Sequence, residues 1–76
     1  MLKDKYRRLG AKILYYRKIR RLTQEQLAEK VGITAKYLSR IETGSYPYSI
    51  SLPTLMLIAE KLDVSISELL VGIEEQ

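Results

Sequence analysis

The sequence predicts an all-α fold, a compact five-helix bundle formed by one chain of 76 residues. Three observations predict it: apolar residues recur at spacings of three and four, Ser and Thr stand where helices would begin, and no alternating apolar and polar run is long enough to indicate a sheet. A chain of this length can bury one small core, so residues 1–76 are expected to form a single domain without a roomy substrate cleft.

The first helix is predicted over residues 4–21. Leu9, Ile13 and Tyr16 recur there at helical spacing, and basic residues fill the positions between them. This pattern is typical of a helix with one face on a core and a strongly basic outer face.

The second and third helices are short and are bounded by cap residues at both ends. Thr23 followed three residues later by Gln26 has the form of a capping box, and glycine can adopt the left-handed conformation that ends a helix. The predicted bounds are residues 24–31, between Thr23 and Gly32, and residues 35–43, between Thr34 and Gly44.

Two further helices are predicted after a loop. The segment SYPYSIS, with Pro47 and three serines, indicates a loop that carries two tyrosines. Ser51 can cap a helix over residues 52–62, because proline at position 53 is tolerated in a first turn. Ser65 with Glu68 has the form of another capping box and predicts a last helix over residues 66–71.

The charge is unevenly distributed along the chain. Residues 1–40 contain twelve Lys and Arg against three acidic residues, whereas residues 41–76 contain one Lys against six acidic residues. The basic half favours a polyanionic partner, either nucleic acid or an anionic membrane surface, over a set of merely solvated helix faces. The basic segment at positions 3–8 lacks the large apolar face of an interfacial helix, which favours nucleic acid.

The composition also argues against several function classes. With no Cys and no His, the chain offers no disulfide, no thiolate or imidazole metal ligand and no histidine base, so we expect no enzyme, metal site or cofactor. No apolar run approaches the roughly 20 residues that span a bilayer, and the N-terminus lacks the apolar segment of a signal peptide. We therefore expect a cytoplasmic protein that neither binds a membrane nor converts a small-molecule substrate.

The second and third helices are predicted to pack as one rigid unit. Leu27 and Val31 face the same core as Leu38 and Ile41, and small Ala28 with a very short turn lets the helices cross steeply. The opposite face of the third helix contains no acid and consists of Ala35, Lys36, Ser39, Arg40 and Thr43. Such a helix fits the major groove of B-DNA, where Arg and Lys reach guanine edges.

The sequence resembles the helix-turn-helix domain of phage repressors, Cro proteins and related Xre-type bacterial regulators. The resemblance covers about residues 9–70, in the segments LGAKILYYRKIRRLTQEQLAEKVGIT, YLSRIETG and LPTLMLIAEKLDVSISELL. It implies the five-helix fold of those DNA-binding domains and a function in transcription regulation.

The resemblance also implies roles for particular residues. Gln24 matches a glutamine that bonds the DNA backbone and steadies the side chain at the start of the third helix, which is Ala35 here and offers only a methyl contact to thymine. The expected base contacts are Ala35, Lys36, Ser39 and Arg40, and the expected backbone contacts are Thr23, Gln24, Tyr37, Thr43, Ser45 and Tyr46. Arg17 and Glu42, at the inner edges of their helices, are expected to form a structural ion pair.

A homodimer on an inverted-repeat operator is expected, because one recognition helix contacts too few base pairs to discriminate against a genome. Leu70, Val71 and Ile73 are the expected interface, as apolar residues left over once a core is built. The sequence favours a transcriptional regulator that binds a specific sequence of double-stranded DNA, and a repressor over an activator. The alternatives are an antitoxin or controller protein of a mobile or restriction system, and a protein-interaction module with an acidic partner.

Overall fold

A computed structural model of the chain describes residues 2–44 and 50–74, and within these ranges it contains helices and no strand. The five helices are α1 (Leu2–Ile19), α2 (Gln24–Val31), α3 (Ala35–Thr43), α4 (Leu52–Leu62) and α5 (Ile66–Leu70). The all-α fold and the bounds of α2, α3 and α4 are those predicted from the sequence. The predicted loop residues Ser45, Tyr46 and Pro47 lie outside the described residues.

The first helix lies two residues earlier than predicted, over Leu2–Ile19 instead of residues 4–21. Its end is set at Arg21, whose φ of 58° is left-handed, and the Leu22 N–H donates to the Arg17 carbonyl at 3.2 Å. The Arg17 guanidinium donates in turn to the Leu22 carbonyl at 2.8 Å, so this turn is held from both sides. The helix therefore ends at an arginine in the left-handed conformation, where a glycine is more usual.

The last helix begins at Ile66 as predicted, but it ends one residue earlier than predicted and its start is bonded differently. It ends at Leu70 because Val71 has extended backbone angles (φ −62°, ψ 129°). At its start Ser65 Oγ accepts from the Glu68 N–H at 3.1 Å, but the Glu68 carboxylate accepts from the Tyr16 hydroxyl at 2.8 Å instead of completing a capping box. A contact with α1 thus replaces a local contact within α5.

One hydrophobic core joins all five helices. Its fully buried members are Ile13, Leu27, Leu38, Ile58, Leu62 and Leu69. The helix α1 packs against α3, α4 and α5. It therefore connects the helix pair α2–α3 to the C-terminal end of the bundle. None of the helices in the described ranges has the length and apolar composition needed to cross a membrane.

Candidate nucleic-acid interface

The helix pair α2–α3 is built by local capping. Thr23 Oγ1 accepts from the Gln26 N–H at 3.0 Å while Gln26 Oε1 accepts from the Thr23 N–H at 2.8 Å, so α2 begins with a complete capping box. Gly32, with φ of 87°, ends α2. Two residues later Thr34 caps α3 by accepting from the Tyr37 N–H at 3.0 Å. With so short a turn, α3 has little freedom relative to α2.

The two faces of α3 differ sharply. Leu38, Ile41 and Glu42 are buried against the rest of the protein. On the opposite side Lys36 and Thr43 are exposed. Because its one acidic residue is buried, α3 presents a face without negative charge to solvent.

The predicted base-contact residues are not equally accessible. Lys36 is exposed, whereas Ser39 and Arg40 are half-buried. Ala35 is also half-buried, since its methyl group packs against the core cluster. Among these four residues, Lys36 extends furthest into solvent.

The predicted backbone-contact residues fall into three groups. Thr23 and Gln24 lie at the start of α2, and Tyr37 lies in the first turn of α3, where its ring packs partly against the core. Thr43 lies in the last turn of α3, and its hydroxyl donates to the carbonyls of Ser39 and Arg40 at 3.1 and 3.2 Å. The two remaining predicted contacts, in the loop after α3, lie outside the described residues.

A buried ion pair joins α1 to α3. Arg17 Nε donates to Glu42 Oε2 at 2.7 Å and Arg17 Nη2 donates to Glu42 Oε1 at 3.0 Å, with both residues 6% exposed. This two-bond geometry satisfies a planar guanidinium and a carboxylate together. In the described part of the chain no buried side-chain nitrogen or oxygen lacks a hydrogen-bond partner. The pair therefore neutralises the single acid of α3 without leaving an uncompensated buried charge.

Gln24 extends this pair to α2. Its Nε2 donates to Glu42 Oε1 at 2.9 Å, so the carboxylate accepts three hydrogen bonds from side chains of α1 and α2. Gln24 itself is half-buried. The resemblance implied that this glutamine contacts the residue at the start of the third helix, but the structure joins it to the end of that helix.

Two basic side chains, one in α1 and one in the turn that follows it, donate to carbonyl groups within the protein. Arg20 donates to the carbonyls of Leu62 and Asp63 at 2.8 and 3.3 Å, and Arg8 donates to the Ile73 carbonyl at 3.2 Å. Cations there satisfy carbonyl groups at the end of α4 and in the turn after α5. Fewer of the basic residues in positions 1–40 are therefore available to a polyanionic partner than the sequence predicted.

Exposed ion pairs flank these contacts. Arg7 donates to Asp4 at 2.7 Å, and this hydrogen bond with the guanidinium lowers the pKa of the Asp4 carboxyl. Lys5 pairs with Glu74 at 3.3 Å. Such pairs contribute little to stability because water and salt screen them.

The three predicted dimer residues occupy different environments. Val71 is 60% exposed and Leu70 is 38% exposed, whereas Ile73 packs against the core. Val71 and Ile73 line one side of a shallow depression of about 330 Å³ between the turn after α5 and the outer face of α1. Of these three residues, Leu70 and Val71 therefore expose apolar surface that a partner could cover.

One residue that positions the interface escaped the sequence analysis. Gly10 lies in the middle of α1, where a Cβ atom would stand 2.2 Å from the Ile41 carbonyl oxygen and 2.7 Å from that of Glu42. The absent side chain allows α1 to approach the backbone of α3 directly. Glycine is unfavourable in the middle of a helix, so its presence at position 10 was the one sign in the sequence that another backbone approaches α1 closely there.

Comparison with known proteins gives consistent similarities. A family profile described as helix-turn-helix matches residues 13–69. The immunity repressor protein of Bacillus phage phi105 is 42% identical over 59 residues, which are 78% of this chain and 40% of the repressor. The control protein C.SmaI of Serratia marcescens is 36% identical over 62 residues, 82% of this chain and 71% of that protein.

A solved structure is similar over most of the same region. SinR, described as the master regulator for biofilm formation and solved in complex with DNA, superposes with a TM-score of 0.73 at 37% identity. The superposition covers 82% of this chain and 97% of the SinR chain. By contrast, this chain spans well under half the length of the phage repressor that it matches.

Proposed function

The chain belongs to the helix-turn-helix family of phage-repressor type, a family of DNA-binding transcriptional regulators, and on this premise we propose that it is a repressor that binds an inverted-repeat operator as a homodimer. The observation that supports this best is the acid-free outer face of α3, whose only acid is buried against Arg17. The proposed activity is binding of double-stranded DNA in the cytoplasm, without a catalysed reaction or a cofactor.

In the proposed complex α3 lies in the major groove. Lys36 and Arg40 are four residues apart, so one turn of helix brings both side chains to the same side. Arg40 is suited to a two-bond contact with guanine, and Lys36 and Ser39 supply further polar contacts to base edges. Ala35 supplies a methyl contact to thymine at most, and its packing against the core limits even that contact.

The backbone contacts are proposed for residues at the ends of these helices. Thr23 and Gln24 lie at the start of α2, where free N–H groups favour a phosphate, and Tyr37 and Thr43 lie near the ends of α3. Ser45 and Tyr46 follow α3 directly in the sequence and remain proposed contacts on that ground alone. Contacts of this kind set the register of the protein on DNA without selecting a sequence.

The homodimer follows from the need for discrimination. A single α3 contacts only a few base pairs, and a two-fold axis doubles the number of bases contacted. We propose that Leu70 and Val71 form the centre of the interface, because they expose apolar surface beside α1, and that Ile73 supports them from the core side.

A second candidate function is favoured by one comparison. The similarity to the control protein C.SmaI, which this chain covers over 71% of its length, supports a controller protein that acts on its own promoter. An antitoxin would be expected to bind its own promoter as well. A protein-interaction module with an acidic partner is distinguished from all of these by gel shift, because it would bind DNA only weakly and lose that binding as salt is raised.

The test of the proposed base contact compares Arg40→Ala with Lys61→Ala, a matched loss of one positive charge on the exposed last turn of α4. Operator DNA obtained by selection and random-sequence DNA are titrated with each variant over a range of salt concentrations. Arg40→Ala is expected to cost about 1–3 kcal/mol on the operator and little on random DNA, while Lys61→Ala changes neither.

A different result would reassign Arg40. If Arg40→Ala weakens binding equally on both DNAs and lowers the salt slope by about one unit, Arg40 contacts a phosphate and does not specify sequence.

A further inference from the structure

The amide of Gln24 is held by the carboxylate of Glu42. A polar side chain at the start of α3 is the neighbour that the family resemblance implies for Gln24, but Ala35 has no polar atom in its side chain. Gln24 Nε2 instead donates to Glu42 Oε1 at 2.9 Å, in the last turns of α3. The glutamine thereby joins the carboxylate that Arg17 already holds.

Both oxygens of the Glu42 carboxylate accept hydrogen bonds from side chains of α1 and α2. Arg17 Nε donates to one carboxylate oxygen and Arg17 Nη2 to the other, and the Gln24 amide shares the second oxygen. The charge of Glu42 is therefore balanced by the guanidinium and is buried, with 6% of the residue exposed. A phosphate that approaches Gln24 from solvent meets a compensated carboxylate and not a free negative charge.

A planar side-chain amide has two N–H groups, and fixing one of them fixes the direction of the other. In Gln24 one N–H donates to Glu42. The other makes no hydrogen bond within residues 2–44 and 50–74, and the residue is only half-buried. The free protein therefore already holds an N–H donor in a single orientation at the start of α2, so little rotamer freedom remains to be lost on binding.

We infer that Glu42 is a positioning residue for DNA, which orients the Gln24 amide so that its second N–H donates to a backbone phosphate. The inference rests on the proposed function, because it requires that the start of α2 meets DNA. It assigns Glu42, a buried residue that does not touch DNA, a role in backbone binding that is separate from its role in stability. Arg17 acts with it by fixing the carboxylate.

The experiment removes the ion pair as a unit. Arg17→Met and Glu42→Leu are introduced together, because replacing a buried pair by apolar residues of similar volume is often tolerated, whereas removing one partner is not. The double replacement leaves the net charge unchanged. Gln24→Met is introduced into both the native and the replaced background.

Affinity for random-sequence DNA and the slope of that affinity with salt are measured for each variant. In the native background Gln24→Met is expected to weaken binding about tenfold with an unchanged salt slope, because a neutral amide releases no counterion. The paired replacement is expected to weaken binding by a similar factor, and Gln24→Met then adds less than about twofold.

Two outcomes would overturn the inference, and neither overturns the proposed function. Gln24→Met would weaken binding equally in both backgrounds if the amide bound phosphate without help from Glu42. The paired replacement would leave affinity unchanged if its role were only structural. The proposed function fails separately, if the unmodified protein binds the selected operator no more tightly than random DNA.

A second measurement on the unmodified protein holds even if the paired replacement does not fold. The two side-chain amide protons of Gln24 are followed by nitrogen–proton NMR as DNA is added. We expect the proton that is not bonded to Glu42 to shift downfield by more than the one that is. If the two protons shift equally, or neither shifts, the inference is wrong.

Discussion

Adding one methyl group at Gly10 is expected to force α1 away from α3. A Cβ atom at this position would lie 2.2 Å from the Ile41 carbonyl oxygen, 2.7 Å from the Glu42 carbonyl oxygen and 2.9 Å from the Glu42 carbonyl carbon. All three atoms belong to the backbone of a helix, so no side chain can rotate to make room. The two helices must separate by more than about 1 Å before the nearest contact becomes an ordinary van der Waals contact.

The expected magnitude combines two opposing effects. Alanine in the middle of a helix is more favourable than glycine by about 1 kcal/mol. Overpacking a well-filled contact costs typically about 1–3 kcal/mol, and backbone against backbone is at the upper end of that range. The net effect of Gly10→Ala is therefore a loss of about 2 kcal/mol in the free energy of unfolding, or roughly 8–16 °C in Tm for a chain of this size.

The assay is urea and thermal unfolding followed by circular dichroism. Ala11→Ser is the control, because it adds an atom to an exposed side chain on the same turn and should cost only about 0.5 kcal/mol. Since α3 bears the proposed base contacts, folded Gly10→Ala is also expected to bind the operator less tightly. If Gly10→Ala were as stable as the native protein, α1 and α3 would not be in backbone contact and this account of their packing would be refuted.

The remaining predictions concern the dimer, the ion pair and the link from α1 to α5. Val71→Glu should give a folded monomer with weaker operator binding, measured by sedimentation and gel shift; a native protein that is monomeric even on its operator would contradict the proposed dimer. Glu42→Ala should cost about 3–5 kcal/mol, because it leaves Arg17 buried without its partner, and additive losses below 1 kcal/mol in a cycle with Arg17→Met would contradict this. The hydrogen bond that Tyr16 donates to Glu68 raises the pKa of Tyr16, so its stabilising effect is fully present below the usual tyrosine pKa and is lost as pH rises through the raised pKa. The stability difference between the native protein and Tyr16→Phe, from urea midpoints between about pH 8 and pH 11, should therefore narrow above about pH 10, and a constant difference would contradict it.

The helix bounds that could be predicted are those set by local chemistry. Thr34 and Ser51 accept from N–H groups three residues later, and Gly32 and Gly44 adopt the left-handed conformation, so the ends of α2 and α3 and the starts of α3 and α4 follow from neighbours in sequence. The end of α4 has no such glycine, because the left-handed residue there is Asp63. The end of α1 could not be predicted in this way. Arg21 there has a left-handed backbone conformation. Two hydrogen bonds hold that conformation, one from the Leu22 N–H to the Arg17 carbonyl and one from the Arg17 guanidinium to the Leu22 carbonyl.

The outer face of α3 was accessible to sequence reasoning because helical periodicity decides which residues point outward. The choice among hydrogen-bond partners was not. Glu68 was predicted to complete a capping box with Ser65, yet it bonds Tyr16 on another helix. Gln24 was expected beside the start of the third helix, yet it bonds Glu42 near the end of that helix. Likewise the sequence contains the charge of Arg20 but no sign that it is engaged by carbonyl groups at the end of α4.

Sequence-specific binding is best tested by selecting bound duplexes from random DNA with the unmodified protein. The enriched sequences are expected to share one inverted repeat, with half-sites one helical turn apart or a multiple of that spacing. Guanine positions within each half-site are expected to lose enrichment with Arg40→Ala. A library that yields no common sequence, with binding that disappears as salt is raised, would contradict a sequence-specific regulator. Enrichment of a single half-site without a repeat would contradict the homodimer.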